Sequence, residues 1–86
     1  MKSITALLID DEMHNRNVLR RLLGKHCPDV EIIGEAHSAH AAYDLITGKK
    51  PALIFLDIKM PGKNGFDLLR MFETIEFEVI FVSAFD

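Results

Sequence analysis

Three short apolar runs constrain the fold of this chain more than any other feature: Ala6-Leu7-Leu8-Ile9, Ala52-Leu53-Ile54-Phe55-Leu56 and Val79-Ile80-Phe81-Val82. Each is continuous rather than alternating. Successive side chains of a strand point to opposite faces, so a strand wetted on one face alternates in sequence. A continuous run fits a strand covered on both faces, as in a parallel sheet. A fourth candidate, Val30-Glu31-Ile32-Ile33-Gly34-Glu35-Ala36, is more polar and reads as an edge strand.

Helical patterns lie between these runs. Residues from Met13 to His26 place Val18, Leu19, Leu22 and Leu23 on one face, with Arg16, Arg20 and Arg21 largely off it. Ser38 is a candidate N-cap for a second helix that carries Ala41, Ala42, Leu45 and Ile46 inward, and Gly48 is the candidate residue to close it. Gly65 opens a third helix with Phe66, Leu69 and Phe72 at helical spacing. The order β-α-β-α-β-α-β predicts right-handed crossovers and an open α/β sheet.

With 86 residues, the chain has material for one small domain, and its 49% hydrophobic content can build a core. A net charge of −3 gives no electrostatic reason to expect nucleic acid at its surface. The single cysteine, Cys27, excludes an internal disulfide framework and fits a reducing cytosol. No segment approaches the ~20 apolar residues of a membrane span, and the first run ends at paired aspartates rather than as a signal peptide. A soluble, cytoplasmic setting is therefore expected.

The chemistry collects at the strand ends. In open α/β sheets, ligands bind outside the carboxyl ends of the strands. The first strand ends in Asp10-Asp11-Glu12, the third in Asp57 and the fourth in Ser83. The acids and the hydroxyl thus converge on one rim, though distant in sequence. Crowded carboxylates repel one another unless a cation sits between them. A hard divalent ion such as Mg²⁺ suits such a cluster, since it takes oxygen ligands and typically uses one or two carboxylates plus a phosphate. A carboxylate can itself be the nucleophile and form an acyl phosphate. These residues therefore predict a metal-assisted aspartyl-phosphate site.

Two stretches then become specific: Leu7-Leu8-Ile9-Asp10-Asp11-Glu12 and Leu56-Asp57-Ile58-Lys59-Met60-Pro61-Gly62-Lys63-Asn64-Gly65. With Val79-Ile80-Phe81-Val82-Ser83-Ala84, they resemble the signature segments of response-regulator receiver domains, in order, spacing and predicted elements. The ending Phe81-Val82-Ser83-Ala84-Phe85-Asp86 is most similar to regulators with a LytTR-type DNA-binding output. The resemblance covers essentially the whole chain. It implies a flavodoxin-like open parallel sheet with strand order 2-1-3-4, here lacking the fifth strand and the last two helices. Residues 1–86 would then be one receiver domain, C-terminally incomplete.

Carried over residue by residue, the resemblance makes Asp57 the phosphoacceptor. It makes Asp11 a direct Mg²⁺ ligand, Asp10 a ligand mostly through water, and the backbone carbonyl of Lys59 the remaining protein ligand. Pro61 and Gly65 shape the loop after the third strand. Ser83 matches the hydroxyl that hydrogen-bonds the phosphoryl group and reports its presence. The family's lysine at the end of a fifth strand has no counterpart here, because Lys49, Lys50, Lys59 and Lys63 occupy none of the matching positions.

Plainer readings stand beside these. Asp10-Asp11 alone could cap a helix, Asp57 alone could begin a turn before Pro61, Asn64-Gly65 could be a hairpin turn, and Ser83 could be an ordinary strand terminus. His37 and His40 have a spacing that permits metal binding but lack further ligands, so they read as surface residues. Cys27 before Pro28 reads as a structural or incidental thiol. The Arg16, Arg20, Arg21 and Lys25 stripe reads as a solvated helix face that a partner kinase could contact.

The leading function is a signalling module, not an enzyme. It takes a phosphoryl group from a histidine kinase and relays a conformational change. An alternative is a receiver fragment that cannot be phosphorylated and acts only in assembly. A Mg²⁺-dependent phosphatase with an aspartate nucleophile would place a second acid two residues after Asp57, where Lys59 stands. If the fourth strand is an edge, its apolar faces and unpaired backbone groups predict a homodimer or higher oligomer through residues 79–84.

Overall fold

The computed structural model describes residues 3–82. The elements run β1 (Ile4–Ile9), α1 (Met13–His26), β2 (Val30–Ala36), α2 (Ala39–Lys49), β3 (Leu53–Asp57), α3 (Gly65–Arg70) and β4 (Glu78–Val82). The strands form one parallel sheet in the order β2-β1-β3-β4, the order that the resemblance to receiver domains implies.

Both faces of the sheet are covered, which is why its central strands read as unbroken apolar runs. Leu7, Ile9, Ile54 and Leu56 face one way and are packed with Ala39, Ala42 and Ile46 of α2 and Leu68 of α3. Ala6, Leu8, Leu53 and Phe55 face the other way, against Leu23 of α1. The helices divide between the faces because the chain reverses direction in the sheet. It steps from β1 outward to β2, then back past β1 to β3, and right-handed crossovers in opposite directions must lie on opposite faces.

β2 is the edge strand that its polarity predicts, and it carries an irregularity. Ala6 pairs with Ile32, yet Leu7 pairs with Gly34, so Ile33 is an extra residue in the ladder. Such a bulge shifts the side-chain alternation by one. Ile32 pairs on the α1 face before the bulge, and Glu35, opposite Leu8, is on that same face after it. Without the bulge, Glu35 would face α2.

Four helix details differ from the sequence reading. Gly48 does not close α2. The helix continues to Lys49, and Lys50 closes it in the left-handed region at φ 47°. The residue before a proline is disfavoured in the helical region, so Pro51 enforces the stop at Lys50. In α3, Leu68 rather than Phe66 faces the core: Leu68 is fully buried and Phe66 half exposed. Phe72 lies past the end of α3, but its ring still packs on Tyr43 at 4.9 Å. Leu22 is half exposed, since α1 alone covers its face of the sheet among the described residues.

Candidate functional site

β1 and β3 lie side by side at the point where the crossovers depart in opposite directions, and a crevice opens there at the carboxyl ends of the strands. Asp10 follows β1 directly, and Asp57 is the last residue of β3. Carboxylate oxygens of Asp10, Asp11 and Asp57 all lie within 4.8 Å of one another. Among the described residues this is the only such group of three or more His, Cys, Asp or Glu side chains. His37 and His40 are exposed and outside it, and Cys27 is exposed.

Asp10 and Asp57 are buried, with 9% and 8% of their surfaces exposed. Two buried acids beside a third are costly without a cation. Burial pushes the Asp10 carboxyl above its ordinary range, and the charges of Asp57 and Asp11 push it further. The Glu12 N–H, donating to Asp10 Oδ1 at 2.9 Å, works against that shift. An all-oxygen, anionic donor set of this kind fits a hard divalent cation.

The loop after β3 is built around Asp57. The Lys59 N–H donates to Asp57 Oδ1 at 3.0 Å, which fixes the backbone at Lys59 beside the carboxylate while the Lys59 side chain is exposed. Gly62 takes a left-handed conformation, φ 77°, that a side chain would oppose. The Gly65 N–H donates to the Ile58 carbonyl at 3.0 Å. A Cβ on Gly65 would lie 2.8 Å from the Asp57 carbonyl oxygen, so only glycine lets α3 start so close to the end of β3. Asn64 caps α3 in a reciprocal box with Asp67, which excludes the hairpin reading of Asn64-Gly65. Ser83 lies outside the described residues.

The arginine stripe on α1 is not simply a solvated face. The Arg16 side chain is 13% exposed and makes two bonds: its Nε donates to Glu35 Oε1 at 2.8 Å, and its Nη1 to the Asp10 carbonyl oxygen at 2.6 Å. Arg20 donates to the other oxygen of Glu35. Sequence reasoning missed this group. A signal was available in Ile32-Ile33-Gly34, where two adjacent apolar residues followed by glycine break the alternation of an edge strand and mark a bulge.

The family model of the response regulator receiver domain matches residues 6–86. An uncharacterized response regulatory protein of Shewanella oneidensis is 42% identical over 84 residues, covering 96% of this chain and 35% of that protein. The sensory transduction protein LytT of Bacillus subtilis is 34% identical over 85 residues, with 96% of this chain and 35% of LytT covered. The chain thus spans about a third of the length of these relatives. The response regulator domain of Thermotoga maritima CheB superposes with a TM-score of 0.85 at 31% identity, covering 95% of this chain and 61% of that one. The chain belongs to the response regulator receiver domain family of two-component signal transduction. No helix among the described residues is long and apolar enough to cross a membrane.

Proposed function

We propose that Asp57 accepts a phosphoryl group from a histidine kinase, with Mg²⁺ held by Asp10, Asp11, Asp57 and the Lys59 carbonyl, and that the chain relays this as a conformational change. The observation that carries this reading is the meeting of three aspartates from β1 and β3 within 4.8 Å, two of them buried.

In the proposed step, a carboxylate oxygen of Asp57 attacks phosphorus. The bond from phosphorus to the donor's imidazole nitrogen breaks, and the imidazole leaves with that electron pair. Asp57 Oδ1 is already engaged by the Lys59 N–H, which holds the carboxylate in one orientation for in-line approach. A bound Mg²⁺ would supply the positive charge that offsets the three carboxylates and the incoming phosphoryl oxygens. Asp10 and Asp11 hold that charge in place. Ser83 is assigned the hydrogen bond to the phosphoryl group. No turnover of a free substrate is involved, so the chain acts as a signalling module in the cytoplasm rather than as an enzyme. A net charge of −3 supports protein rather than nucleic-acid partners for this region.

Self-association along β4 belongs to the same proposal, supported by the half-exposed Ile80 and Phe81 on that strand. Light scattering at micromolar concentration tests it, and a monomer counts against it.

The main test is incubation with acetyl phosphate followed by intact mass measurement. One phosphoryl group should appear with Mg²⁺ and be absent with EDTA or in Asp57→Asn, whose amide is a poor nucleophile. An Asp57→Asn chain phosphorylated like the wild type would overturn the assignment.

A further inference from the structure

We propose that Arg16 is a positioning residue of the acidic pocket: held from behind by Glu35, its guanidinium fixes the Asp10–Asp11 peptide and thereby aims the Asp11 carboxylate at the cation. This rests on the reading of Asp10, Asp11 and Asp57 as the metal site.

The geometry supports the role link by link. Arg16 sits in the first turn of α1, directly after the Asp10-Asp11-Glu12 connection. Its Nη1 donates to the Asp10 carbonyl at 2.6 Å. That oxygen belongs to the peptide group joining Asp10 to Asp11. A peptide is planar, so fixing its oxygen fixes its plane and the Cα from which the Asp11 side chain projects. The rest of Asp10 is already tied down, its N–H to the Ala36 carbonyl at 3.0 Å and its Oδ1 to the Glu12 N–H at 2.9 Å. Arg16 supplies the remaining constraint on that turn.

A cation so near three carboxylates would be expected to fold onto them and compete with a metal. Glu35 prevents this. It accepts from Arg16 Nε at 2.8 Å and from Arg20 through its other oxygen. The charge of Arg16 is thus paired away from the pocket, and only a backbone carbonyl of the pocket receives its hydrogen bond. Glu35 reaches the α1 face because Ile33 is extra in the β2 ladder and shifts the alternation by one. Gly34 permits the local close approach, since a Cβ there would lie 3.0 Å from Leu7 Cδ2. The bulge, Glu35, Arg16 and the Asp10–Asp11 peptide thus form one chain of contacts from the sheet edge to the site.

Lysine cannot substitute. The two bonds leave from separate nitrogens of a rigid planar fork, whereas an ammonium concentrates its donors at one point. The test is Mg²⁺ binding by calorimetry to the full chain, beside Arg16→Ala and Arg16→Lys, with the melting temperature of each. The Asp11 amide chemical shift is followed before any metal is added. Loss of an outer partner of a metal site weakens binding by about 10–100-fold, and both variants should fall in that range. The metal-free Asp11 amide resonance should also move in both. Arg16→Lys keeps a charge for Glu35 and should melt near the wild type, so its weakened binding separates aiming from stability. Should Arg16→Ala fail to fold, Arg16→Lys decides. A folded Arg16→Ala, or an Arg16→Lys, that binds Mg²⁺ as tightly as the wild type overturns the positioning role alone. A wild-type chain that binds no Mg²⁺ overturns the metal-site reading and this role with it.

Discussion

Asp10 and Asp57 are held by the same local device at the ends of neighbouring parallel strands: each turns Oδ1 back to accept the backbone N–H two residues further on, from Glu12 at 2.9 Å and from Lys59 at 3.0 Å. Such Asx turns fix a carboxylate without a cation. Two acids are thereby preset on one rim before any ligand arrives, and their repulsion is stored in the metal-free chain.

That stored repulsion predicts the effect of Asp10→Asn. The asparagine oxygen can still accept from Glu12, while the buried charge is gone. The metal-free chain should become more stable, with a Tm rise of about 4–8 °C if roughly 1 kcal/mol is relieved in a domain of this size. The same variant should lose most of the stabilisation that Mg²⁺ gives the wild type. Thermal melts with and without Mg²⁺ check both; a metal-free melting temperature below the wild type's counts against stored repulsion.

Gly65→Ala should damage the site through the backbone. The new Cβ would lie 2.8 Å from the Asp57 carbonyl oxygen and 3.1 Å from Leu56 Cγ. Either α3 moves off the end of β3 or the Asp57 backbone shifts. A loss of about 1–3 kcal/mol is expected from such overpacking, together with slower phosphorylation from acetyl phosphate. Urea unfolding and a time course by mass spectrometry measure the two effects. Unchanged behaviour in both would show that the contact relaxes freely.

Glu35 sets a pH dependence. The Arg20 hydrogen bond, helped by Arg16 and opposed by partial burial, holds its carboxyl below the ordinary value of 4.5. A depressed folded pKa stabilises the fold above the unfolded pKa, and that contribution is lost as pH falls through the folded value. The wild type should therefore be more stable than Glu35→Gln near neutrality, and the gap should close as pH falls below about 4.5 toward the folded value. Denaturation midpoints of both chains across this range provide the check. A gap that does not change with pH would assign the stabilisation to packing instead of charge.

Much of this was legible in the sequence because the signals are local. Continuous apolar runs mark β1, β3 and β4, and Asp10, Asp11 and Asp57 fall at their ends by simple position. Ser38 read as an N-cap because the capping bond, to the Ala41 N–H, spans only three residues. The Arg16–Glu35 pair was not legible in that way. It spans 19 residues and depends on a bulge that changes which face Glu35 occupies. The inward face of α3 was misread for a similar reason. The close seat of Gly65 on β3 is a tertiary contact, and it turns Leu68 rather than Phe66 toward the core.

The central claim is that Asp57 carries the phosphoryl group. Its most direct test is reduction of the phosphorylated chain with borohydride, which converts an aspartyl phosphate to homoserine, followed by peptide sequencing. The account predicts homoserine at position 57 alone, formed only when both acetyl phosphate and Mg²⁺ were present. Homoserine at another aspartate, or none at position 57 under those conditions, would contradict it.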